Sequence, residues 1–158
     1  MAVLPEPLHS TLRAIERAVE ADADDGFRAH LGASVIGRPC ERAGWYTFRW
    51  ATPARHTGRL LRLFARGQRE EAVLVELLRK AGLEVWEDDG TGRQFRVSAI
   101  GGHFGGSLDG AARGLVEAPE KWHVLEFKTH NEKSFAKLIK EGVEKAKPEH
   151  FAQMQIYM

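Results

Sequence analysis

Four side chains carry most of the chemistry this sequence can offer. In the run His123-Val124-Leu125-Glu126-Phe127-Lys128 a carboxylate and an ammonium stand two residues apart among apolar neighbours. Side chains alternate across a strand, so Glu126 and Lys128 share one face with Val124 while Leu125 and Phe127 share the other. An unpaired charge on such a strand is costly to bury, which points to a paired, metal-linked or catalytic use. Seventeen residues upstream of Glu126, the run Gly105-Gly106-Ser107-Leu108 leads into Asp109-Gly110. A hairpin from there to the next strand brings Asp109 beside Glu126, giving two hard oxygen ligands suited to Mg²⁺ or Mn²⁺. Two carboxylates and a lysine fit metal-assisted phosphodiester hydrolysis, with Lys128 beside the attacking water or the attacked phosphate.

A third acid comes from the helix ahead of the sheet. Val73, Leu74, Val75, Leu77, Leu78 and Ala81 form its apolar arc, and Glu70 and Glu71 both fall within or beside that arc. Periodicity does not choose between the two glutamates.

These residues need a scaffold, and the patterning supplies helices, then strands, then helices. Leu8 to Val19 has helical spacing, Glu20 to Gly26 reads as a loop, and Pro39 and Pro53 bracket a short helical region. Leu60 to Ala81 is the longest helical pattern, stopped by Gly82. Strands are expected over Leu83–Trp86, Gln94–Ile100, His103–Asp109 and Trp122–Thr129, joined as antiparallel hairpins. Asn131 caps a helix running to Gly142, and Pro148 opens a last helix. The class is α/β (α+β), a mixed sheet of three to four or more strands flanked by helices. One domain spans 1–158, with a helical, basic and aromatic region over 1–58 and the catalytic core over 59–158. The last helix is in full pattern at Met158, which reads as a core cut short of a final strand.

Net charge is +1, yet from Arg38 to Glu70 eight arginines face two glutamates. That segment favours a polyanion. Trp45, Tyr46, Phe48 and Trp50 are threaded through it, and rings beside guanidinium groups suit phosphate contact and base stacking. Arg38, Arg42, Arg49 and Arg66, with Trp45 and Trp50, are the candidate DNA contacts. The single cysteine, Cys40, allows no internal disulfide and cannot alone hold a four-ligand zinc or iron-sulfur centre. No apolar run exceeds four residues, so a membrane-spanning helix is not expected and the protein reads as cytoplasmic. No H-x-H or H-E-x-x-H spacing, nucleophilic serine or cysteine motif, or phosphate-cradling Gly-Lys-Thr loop is present.

Taken in order, Arg66-Gly67-x-x-x-Glu71, Ser107-Leu108-Asp109-Gly110, Leu125-Glu126-Phe127-Lys128 and Ala152-Gln153-Met154-Gln155-Ile156-Tyr157-Met158 resemble the PD-(D/E)XK nuclease superfamily, nearest its lambda-exonuclease and RecB-like branch. The four motifs cover about residues 60 to 158. The resemblance implies a restriction-endonuclease-like core, with Asp109, Glu126, the carbonyl of Phe127 and Glu71 as metal ligands and Lys128 as the catalytic lysine. It also implies that Gln153 and Tyr157, four residues apart on one helix face, reach the site. By the same likeness the chain is an Mg²⁺- or Mn²⁺-dependent exonuclease on DNA ends, acting in recombination in a bacterial or phage-infected cell. The implied partners are DNA, further copies of the chain in a ring, and a single-strand annealing protein. The sequence departs from the pattern at Gln68, where many RecB-like members carry histidine, and at Leu108, where proline often precedes the aspartate. Two rivals stand beside this expectation: a structure-specific or restriction-like endonuclease on the same core, and a DNA-binding module without turnover.

Overall fold

The computed structural model describes residues 10–24, 27–51 and 55–158. Helix α1 (Ser10–Ala21) is followed by the two-residue strand β1 (Leu31–Gly32), a 3-10 turn (Ala33–Val35) and α2 (Glu41–Phe48). The long helix α3 (Gly58–Lys80) leads into β2 (Glu84–Trp86), β3 (Arg96–Ala99), β4 (Phe104–Ser107), β5 (Gly110–Arg113) and β6 (His123–Leu125). Helices α4 (Glu132–Ala146) and α5 (Pro148–Tyr157) complete a mixed α/β fold. The expected helix start at Leu8, the loop end at Gly26 and the bracket at Pro53 lie outside the described residues.

Local chemistry explains the helix ends. Thr57 caps α3, its hydroxyl accepting from Leu60 N at 3.4 Å, and Gly82 at φ +90° takes the left-handed step that stops the helix. Asn131 caps α4 by accepting from Ser134 N at 2.9 Å, and Pro148 sits in the first turn of α5, where a missing N–H costs nothing. Helix α4 carries a break at Gly142, the residue at which its pattern was expected to end. Helix α1 is joined to α3 where Gly58 N donates to Glu20 Oε1 at 2.5 Å.

Among the described residues the strands form two sheets of three rather than a single one. One has the order β1-β4-β3, with β1 parallel and β3 antiparallel to β4; the other has the order β2-β5-β6 and is antiparallel throughout. The chain changes sheet at Leu108-Asp109: Leu108 N still donates to Phe95 O at 3.0 Å, and Gly110 already pairs with Leu125. Strand β5, sequence Gly-Ala-Ala-Arg, was not expected, since it has no β-branched or aromatic residue. Small residues are what the position demands. A Cβ on Gly110 would stand 2.7 Å from the Trp86 carbonyl oxygen, and Ala112 is fully buried. Gly110→Ala should therefore push β2 and β5 apart and cost about 1–3 kcal/mol, read as a lower urea midpoint with an unchanged m-value.

The core lies where α3 crosses the second sheet. Val75, Val85 and Ala112 are buried together, with Leu78, Leu83, Leu115, Leu125 and Phe127 packed against them. That packing fixes the rotation of α3 and the face of β6 that looks inward. Among the described residues, no helix is long and apolar enough to cross a membrane.

Candidate active site

The antiparallel register of β5 and β6 places Asp109 opposite Glu126. Gly110 pairs with Leu125, so the residue before the first faces the residue after the second. Asp109 is fixed there by Phe127 N, which donates to its Oδ2 at 2.6 Å. Strand β6 ends at Leu125, short of the strand expected to run to Thr129, yet Leu125 and Phe127 both pack against the core and Glu126 lies beside Lys128. Their side chains form an ion pair through Glu126 Oε1.

Glu126 is the electrostatic centre of this group. Its side chain is only 4% exposed, and Gln153 Nε2 donates to the same Oε1 at 2.8 Å. The second oxygen, Oε2, is buried with no hydrogen-bond partner among the described residues. Burial pushes the Glu126 carboxyl above the usual carboxylate range; Lys128 and Gln153 pull it back, and the charge of Asp109 adds to the rise.

Glu71 joins from α3. It lies one turn before the buried Val75, so the packing of α3 on the sheet turns it toward the strand ends. Burial raises its carboxyl, Asp109 raises it further and Lys128 lowers it. Glu70 is turned elsewhere, 47% exposed and 3.8 Å from Arg66 Nε. Of the two glutamates that periodicity left open, Glu71 is the one that senses Asp109 and Lys128.

Helix α5 closes the group. Gln153 is buried and donates to both Glu126 and the Tyr157 hydroxyl, the latter at 3.1 Å. The Tyr157 ring lies over Gly106, where an added Cβ would come within 2.5 Å of the hydroxyl oxygen. Burial raises the Tyr157 phenol, countered by Gln153 and reinforced by Glu126. The four motifs thus meet in space: α3, the end of β4 with the start of β5, the end of β6, and α5.

A cleft of about 390 Å³ opens beside Lys128 and Gln153, lined also by Ser34, Arg38, Pro39, Glu149 and His150. Arg38 is the one candidate DNA contact that lines it. Arg42 and Trp45 lie on α2 and Arg49 just after it, and Trp45 is 56% exposed with its ring edge-on to Tyr46. The Trp50 indole donates to the Arg28 carbonyl at 3.1 Å and packs against Phe27. Arg66 pairs with Glu70 outside the group. Sequence reasoning passed over His150, whose ring lies 5.5 Å from that of His130. Burial lowers its pKa, Glu149 opposes that, and Lys128 and His130 add to the lowering. Its signal was its place three residues before Gln153 on the same helix face.

The donor set has the chemistry of a hard-cation site, being carboxylate oxygen with one buried oxygen lacking a donor. Asp109 is engaged by Phe127 N and Glu126 by Lys128 and Gln153, and among the described residues no three acidic, histidine or cysteine side chains converge as a metal-binding group. Scans against protein-family models, curated proteins and solved structures each return no match to this chain.

Proposed function

We propose that this chain is a metal-dependent DNA nuclease built on a restriction-endonuclease-like core, hydrolysing phosphodiester bonds from DNA ends. The observation that carries the reading is the meeting of Asp109, Glu126 and Lys128 with Glu71, Gln153 and Tyr157 around one buried carboxylate. Asp109 and Glu126 flank one lysine, and Glu71 lies close enough to feel the charges of Asp109 and Lys128, so like charges repel at this edge. Burial raises both Glu71 and Glu126 and the charge of Asp109 adds to each rise, and a dication at this edge would relieve both effects.

Asp109, Glu126 and Glu71, with the Phe127 carbonyl, are the residues that would hold Mg²⁺ or Mn²⁺. Such an ion supplies an acidified water and neutralises charge on the attacked phosphate. Lys128 adds positive charge at the same edge and lowers the proton affinity of the two glutamates that flank it. Gln153 holds Glu126 in place and Tyr157 in reach. The cleft lined by Arg38 and Lys128, with Glu149 also in its wall, would offer two cations to a phosphodiester backbone.

Purified protein with Mg²⁺ or Mn²⁺ should shorten linear duplex DNA and spare closed circles. Cutting both equally would make it an endonuclease on the same core. Leaving both intact while still binding DNA would make it a binding module.

A further inference from the structure

The outer side of α3 carries a feature the hydrolytic reading does not use. Arg59, Arg62, Arg66 and Arg69 recur at three- and four-residue steps, so at 100° per residue they fall in one arc about 80° wide and about 15 Å long. Glu71 lies about 160° around the helix from the middle of that arc, on the side facing the carboxylate group. Among the described residues, Arg59, Arg62 and Arg69 have no carboxylate within ion-pair distance, and Arg66 meets only Glu70, at 3.8 Å with its own side chain 71% exposed. The ridge borders a groove of about 1060 Å³ between α1 and α3, whose apolar lining comes from Leu12, Val19, Leu60 and Leu63 and whose wall holds four arginines against the single acid Glu16. Beyond the groove the same arc turns apolar, with Val73 49% and Leu77 54% exposed.

We infer that this groove docks an acidic amphipathic helix of a protein partner, its apolar side chains seated between α1 and α3 and its carboxylates along the arginine ridge. Charge complementarity selects the sign of the partner, and the apolar floor selects its form. A duplex backbone matches the arginines but leaves Leu12, Leu60 and Leu63 uncovered. It would also have to pass around α3 to reach Lys128. An amphipathic helix satisfies both the floor and the rim, and the exposed Val73 and Leu77 extend its seam.

The test is fluorescence anisotropy with a labelled synthetic helix carrying leucines at i, i+3, i+4 and i+7 and glutamates beside them. It should bind the intact chain, and a scrambled peptide of equal composition should not. Arg59→Glu with Arg62→Glu, both at exposed positions, should weaken binding by about tenfold or more, and a lysine-bearing version of the helix should recover it. Leu63→Asp, at a side chain 55% exposed, should weaken binding of the original helix without unfolding the chain, as circular dichroism checks. Equal binding of the scrambled peptide, or indifference to both variants, overturns the inference. So does a comparable loss of short-duplex binding in the charge-reversed variant, which would make the ridge a nucleic-acid track. Peptide binding is read without DNA or divalent ions, so its failure leaves the proposed hydrolase untouched.

Discussion

Glu126→Gln should lower metal-dependent DNA hydrolysis by about a thousandfold or more while making the protein more resistant to denaturant at neutral pH. On the proposed function the loss of rate follows from removing a charged oxygen that would hold the metal, a change worth several kcal/mol where one decade of rate is about 1.4 kcal/mol. The gain in stability follows from burial. The Glu126 side chain is almost fully enclosed, one of its oxygens has no donor, and its carboxyl is raised above the usual range despite Lys128 and Gln153. With the folded-state pKa above the unfolded one, this group's contribution to stability is complete below the unfolded value and is lost as pH rises through the folded value. Glutamine is neutral throughout. The variant and the native protein should therefore have similar urea midpoints in acid and diverge in the variant's favour as pH rises toward neutrality. Such opposition between activity and stability marks a group retained for chemistry. A variant that lost stability at neutral pH would mean that the Lys128 ion pair outweighs desolvation.

Lys128→Ala carries the second large effect. Lys128 lowers the proton affinity of both Glu71 and Glu126, and it borders the cleft shared with Arg38. Its loss should reduce cleavage about a hundred- to a thousandfold, the usual cost of one preorganised charge at the transition state. DNA binding, held by several arginines, should change little at moderate salt. Without the ammonium both glutamates hold their protons to higher pH, so the pH at which Mn²⁺ binding reaches half its maximum should move upward. A titration calorimeter reads that shift directly. Cleavage and Mn²⁺ binding both unchanged would remove Lys128 from the site.

Much of this site could be read before any coordinates, and the reasons are local. The long period of α3, its glycine stop, the asparagine cap of α4 and the proline of α5 are each set by a few neighbouring residues. The alternation that separates Glu126 and Lys128 from Leu125 and Phe127 is likewise intrinsic to an extended chain. The pairing of Asp109 with Glu126 was expected from a hairpin, but its cause is β5, whose Gly-Ala-Ala run shows no strand signal because β2 and the core leave room for nothing larger. The choice of Glu71 over Glu70 needed the location of Val75 in the core, since both glutamates border the apolar arc. The bond from the Trp50 indole to the Arg28 carbonyl, and its contact with the Phe27 ring, likewise join residues more than twenty apart in the chain. A division into two small sheets also depends on contacts made across the chain, between β1 and β4 and between β2 and β5, which no short window of sequence contains.

Anomalous diffraction from crystals soaked in Mn²⁺ addresses the cation directly. The account predicts a peak within about 2.0–2.4 Å of carboxylate oxygens from both Asp109 and Glu126, weakened or lost in Glu126→Gln. Full-strength peaks elsewhere on the chain, with none between these two side chains at neutral pH, would contradict it.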